Sequence, residues 1–133
     1  MSKVNPTDRR YSREHEWAID NGDGTVTLGI TDHAQELLTD IVFVELPEIG
    51  KQVKQMEPVA VVESVKSVSD VYSPVTGEVI DANQKLEQNP ELINQDPYGK
   101  GWIAKLRMEQ PEELQTLLDA SGYEAFIAAE EHH

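Results

Sequence analysis

Cysteine is absent from all 133 residues. That excludes a disulfide frame, a thiolate metal site and a cysteine nucleophile, so any thiol chemistry has to arrive on an attached group. Basic side chains are scarce and unevenly placed. No Lys or Arg follows Arg107, while Glu109, Glu112, Glu113, Asp119, Glu124, Glu130 and Glu131 do. The formal net charge of −14 repels phosphate backbones and anionic membranes, and suits docking onto basic protein surfaces. Long apolar runs are missing as well: none approaches the length of a membrane span, and the opening MSKVNPTDRR has no apolar core for a signal peptide. The chain is therefore expected to act in the cytoplasm, with neither nucleic acid nor membrane as partner. The closing His132-His133 is given no role.

What the sequence has in quantity is short strand-like runs separated by turn residues. Glu16–Ile19 and Thr25–Ile30 flank Asn21-Gly22-Asp23-Gly24, a strand, tight turn and strand. Asp32 is a candidate helix cap with Gln35 as its reciprocal partner, and Leu37 and Leu38 are expected to face inward. Strands follow over 41–46, 52–54, 59–64, 68–73, 78–82 and 102–108. A helical turn is expected near Asn89–Ile93 and a β-turn at Asp96–Gly99. Pro111 suits the first position of a helix carrying Leu114, Leu117 and Leu118, and a last helical piece spans Tyr123–Glu130. Short strands with frequent turns indicate an all-β barrel or sandwich core with helical additions. At this length it is one domain, with residues 1–10 expected to be flexible and 111–131 a helical extension.

Within PVAVVESVKSVSDVYSPVTG (58–77) a single lysine interrupts an apolar stretch. Pro58 and Pro74 lie eight residues to either side of Lys66, Val62 and Asp70 four, Val61 and Val71 five. A mirrored hairpin would put Lys66 at its tip. The plain reading is a solvated surface lysine. The chemical reading is a modification site: an amine on a rigid tip, distinguished by backbone shape from the other lysines, whose acylation removes the charge and adds a long arm.

The run ESVKSVSDVYSPVTGEV resembles the lipoylation hairpin of the glycine cleavage system H protein family. Four other blocks match that family's pattern in order and spacing: HEW at 15–17, GITDHAQ at 29–35, IVFVELPEIG at 41–50 and LINQDPYGKGW at 92–102. The likeness covers nearly the whole chain. Biotin carriers place their lysine between methionines, and lipoyl domains of 2-oxo acid dehydrogenases usually carry an aspartate before it; Val65-Lys66-Ser67 fits neither. The resemblance implies a mainly β barrel-sandwich hybrid of the lipoyl and biotinyl carrier type with short helices, and a non-catalytic carrier with lipoate amide-linked to Lys66. It further implies that the arm accepts an aminomethyl group from a pyridoxal-phosphate glycine decarboxylase. An aminomethyltransferase then passes the carbon to tetrahydrofolate, and a dihydrolipoyl dehydrogenase reoxidises the dithiol. Tethering raises the arm's effective concentration at each partner, and visiting several partners suits a monomer.

By the same resemblance Glu63 helps a lipoate-attaching enzyme recognise the hairpin, beside Ser64, Val65 and Ser67, the serines shaping the turn. Glu16 and Asp70 are implied to hold the loaded arm's amine in a cleft, as carboxylates that stay ionised. Two positions depart from the pattern. Gln55–Pro58 stands where the family usually has a glycine, a loss of little cost if no positive φ is needed there. Val68 stands where a small alanine is common, which stiffens the strand. His15 and His33 lack carboxylates at ligand spacing, so no metal site is expected. Trp17, Trp102, Tyr98 and Phe43 are expected to be core or cleft walls. Two alternatives share the fold, a lipoate relay and a regulatory binding protein without its arm; a hydrolase or metalloenzyme has no supporting constellation.

Overall fold

A computed structural model describes residues 5–131; the loose opening expected for 1–10 lies outside the described residues as far as Val4. From Asn5 onward the chain is ordered by contacts. Asn5 is buried, and Tyr98 donates its hydroxyl to Asn5 Oδ1 at 2.6 Å. The elements are β1 (Arg10–Tyr11), β2 (Glu16–Asp20), β3 (Thr25–Ile30), α1 (Asp32–Leu38), β4 (Ile41–Glu45), β5 (Gln52–Val53), β6 (Pro58–Ser64), β7 (Val68–Tyr72), β8 (Gly77–Ala82), α2 (Lys85–Gln88), α3 (Leu92–Gln95), β9 (Ala104–Met108), a 3-10 helix (Pro111–Thr116) and α4 (Ala120–Glu131).

Two antiparallel sheets form the sandwich: six strands in the order β1-β2-β3-β9-β8-β5, and three in the order β4-β6-β7. Their inner faces share one apolar core, with Val26, Leu28, Val62, Val71, Val79 and Leu106 at 1% exposure or less. Alternating burial along β8 and β9 reflects the pleat, which sends every second side chain inward. A second cluster seats the C-terminal helix: Tyr11 and Tyr123 stack at 4.8 Å beside Trp17 and Ala120. Trp17 fits because Gly29 lies opposite it, where an added Cβ would stand 2.7 Å from the indole. The indole N–H donates to the carbonyls of Ile30 and Pro97.

Several local expectations need correction. Thr31, not Asp32, caps α1, its hydroxyl accepting from the Ala34 amide, while Gln35 donates to Asp32 Oδ1 at 2.9 Å. Thr31 lies one residue ahead and supplies the same oxygen chemistry. Leu37 is 56% exposed and Leu38 only half-buried, because a helix of seven residues hides only a narrow stripe. Phe43 is 51% exposed, pointing outward from β4 rather than walling a cleft. The segment after Pro111 stays 3-10 for six residues, then extends, so that Leu118 forms a bridge to Tyr11.

Candidate functional site

The β6–β7 hairpin carries the lysine. Its pairs are Val61 with Asp70, Val62 with Ser69 and Glu63 with Val68. The mirror axis therefore falls between Val65 and Lys66, half a residue from the centre the sequence symmetry suggested, and Val65-Lys66 is a two-residue loop. Neither residue has a positive φ, unlike the common hairpin turns. A serine explains how the turn closes. Ser64 is buried and its Oγ accepts from the amides of Lys66 (3.3 Å) and Ser67 (3.1 Å), replacing a backbone carbonyl as acceptor. The Ser64 amide donates to the Ser67 carbonyl at 2.8 Å.

The tip is also braced from outside. The Val65 amide donates to the carbonyl of Asp40 at 3.0 Å. Asn94 holds the segment beside it, accepting from the Ile41 amide and donating to the Thr39 carbonyl and to Gln35 Oε1. Lys66 and Ser67 are exposed, and Val65 and Val68 are 66% and 64% exposed. Among the described residues none offers the Lys66 ammonium a hydrogen bond or ion pair. Glu63 is half-buried on β6, between Phe43 on β4 and Val68 on β7. The arrangement presents a free amine on a fixed, solvated loop.

At the other end of β7 the environment reverses. Glu16 is 1% exposed. Its Oε1 accepts from Ser12 Oγ at 2.5 Å and its Oε2 from the Tyr72 amide at 3.1 Å, which ties the large sheet to the small one. Ser12 Oγ itself accepts from the Glu14 and Glu16 amides, fixing its proton toward the carboxylate. Burial outweighs these donors and pushes the Glu16 carboxyl up to about 8. The expectation of a carboxylate that simply stays ionised is thus corrected: at neutral pH this niche favours the proton-bearing form. Asp70, two residues before Tyr72, is exposed and makes no hydrogen bond to Glu16. A cavity of about 280 Å³ is lined by Ser12, Glu14, Gln55, Met56 and Thr116 among others. Met56 has φ 69°, so the position without its glycine does require the left-handed region, at a cost of roughly 1 kcal/mol.

Sequence reasoning missed one grouping. His15 and His33, expected to have no carboxylate near them, meet Glu130 from the end of α4; His15 Nε2 and Glu130 Oε1 are 3.3 Å apart. No local spacing could signal a contact between residues 115 positions apart.

A two-sheet sandwich that holds out a bare lysine on a braced hairpin defines a carrier of the swinging-arm class. The comparisons agree. The family described as Glycine cleavage H-protein matches residues 9–130. The glycine cleavage system H protein of Chromohalobacter salexigens is 56% identical over 98% of this chain and 99% of its own. That of Thermus thermophilus is 54% identical over 94% and 97%. The crystal structure of a glycine cleavage system H protein from Mycobacterium marinum superposes with a TM-score of 0.83 at 39% identity, covering 91% of this chain and 97% of the other. The chain belongs to the glycine cleavage H-protein family, the non-catalytic lipoyl carriers of the glycine cleavage system. No helix of the described residues is long and apolar enough to cross a membrane.

Proposed function

We propose that Lys66 is the lipoyl attachment lysine and that this chain shuttles the aminomethyl group from glycine decarboxylase to the aminomethyltransferase, then presents the reduced arm to dihydrolipoyl dehydrogenase. The observation that carries this reading is the Lys66 ammonium, without a partner among the described residues on an ordered two-residue loop. Lipoate supplies the dithiol that a cysteine-free chain lacks. The remaining work falls to the chain's own side chains. Ser64 fixes the loop, while Glu63, Val65 and Ser67 give the attaching enzyme a shape to recognise. Val65 and Val68 add exposed apolar contacts beside the amine.

The loaded arm's amine is received between Asp70 on β7 and Glu16, whose carboxyl accepts from the Tyr72 amide at the end of that strand. Asp70 is the solvated carboxylate that meets a cation first. Glu16 then responds, because a cation drawn against a buried carboxyl favours its ionised form and drives off its proton. Two donors already occupy Glu16, and a carboxylate has lone pairs left for a third. The niche thereby favours a charged amine. A monomer in the cytoplasm follows from the need to visit several partners.

The test is the intact mass of the chain after co-expression with a lipoate-attaching enzyme, beside Lys66→Arg. One lipoyl group gained by the wild type and none by the variant supports the assignment. No gain, under conditions that modify a known acceptor, overturns it. Glycine–bicarbonate exchange with purified decarboxylase then separates a shuttle from a lipoate relay, which would be loaded yet inactive.

A further inference from the structure

We propose that His15, His33 and Glu130 form a binding site for one divalent transition-metal ion of the zinc class, seated between α1, the turn before β2 and the end of α4. The donor set is two imidazole nitrogens and one carboxylate oxygen, which suits zinc with a fourth position left to water. Their candidate ligand atoms all lie within 4.8 Å of one another. His15 Nε2 and Glu130 Oε1, at 3.3 Å, are already at the edge length of a tetrahedron whose bonds to the ion are about 2.0–2.1 Å. The His33 ring lies 4.9 Å from that of His15, and with all ligand atoms within 4.8 Å of one another its nitrogen closes by about 1.5 Å at most to join the same shell.

The outer contacts are those of a metal-binding histidine. His15 Nδ1 is 2.7 Å from Tyr123 Oη, which is 2.7 Å from Thr31 Oγ1. With an ion bound, Nδ1–H would donate to Oη and the phenol O–H to Thr31 Oγ1, leaving the Nε2 lone pair for the metal that Glu130 shares. Such a partner on the second nitrogen fixes both tautomer and ring orientation. The backbone holds the residue as well: His15 has φ 72°, and its carbonyl accepts from the Thr31 amide at 3.0 Å.

The experiment is isothermal titration of the full-length chain with Zn²⁺ in a background of Lys66→Arg, so that no dithiol competes, and of His132→Ala with His133→Ala, so that the terminal histidines do not contribute. One equivalent per chain is expected, with a rise in Tm of about 5 °C or more at saturating metal. His33→Ala and Glu130→Gln should each weaken binding at least tenfold while leaving circular dichroism and metal-free Tm nearly unchanged. Tyr123→Phe should weaken it less. No stoichiometric binding in this background overturns the site, and so does binding that survives both His33→Ala and Glu130→Gln.

Discussion

The two ends of β7 handle charge in opposite ways. At the tip, Lys66 is surrounded by water, its loop closed by a serine three residues or fewer from every partner. At the base, Glu16 is sealed from water and held by Ser12 and by Tyr72, 56 residues away. A charge at the tip costs nothing to keep and is available to an outside enzyme. A charge at the base is disfavoured by burial. One strand thus links a site built for exposure to a site built for burial, and substitutions should separate them.

Lys66→Arg is expected to have the largest functional effect and almost no structural one: complete loss of lipoylation by intact mass, with stability within about 0.5 kcal/mol of wild type in urea titration. A large loss of stability would mean the tip is not the independent loop described. Glu16→Gln tests the base. Burial holds the folded-state carboxyl near 8 against 4.5 for the ordinary group, so across that window the native chain keeps a proton that the unfolded chain has released. Wild-type stability should therefore fall as pH rises from about 4.5 through about 8, by on the order of 2–4 kcal/mol. Denaturation of Glu16→Gln should show this slope much flattened; an unchanged slope would place its origin elsewhere.

Smaller effects sharpen the contrast. Ser64→Ala leaves the Lys66 and Ser67 amides to water and should cost about 1 kcal/mol, while slowing lipoylation several-fold through a looser loop. Met56→Gly, at the rim of the cavity, relieves a left-handed backbone but frees the unfolded chain. Stability should rise by no more than about 0.5 kcal/mol, measured as a shift of the urea midpoint.

The hairpin was legible in the sequence because its determinants are local: valine-rich arms, prolines outside them, and a serine on each side of the Val65-Lys66 loop. Its register was not, since the spacing of prolines and valines suggested an axis through Lys66, whereas the hydroxyl of Ser64 set it half a residue earlier. The strands of the large sheet were read to within a residue or two, β1 excepted. That two-residue strand exists by pairing with Trp17 and Ala18 and by the Leu118 bridge, so its own sequence carries no signal. The burial of Glu16 and its raised carboxyl were not legible, because burial is a sum over distant neighbours. The meeting of His15, His33 and Glu130 was hidden for the same reason.

The stacking of Tyr123 on Tyr11, together with the Leu118 bridge, joins the last segment of the chain to the first. Synthesis delivers residue 11 more than a hundred residues before residue 123. The edge of β1 and the face of Trp17 therefore stay uncovered while the rest of the sandwich is being made. The helix acts as a clasp that closes only after residue 123 has emerged, and a chain truncated before Ala120 would leave that seam open.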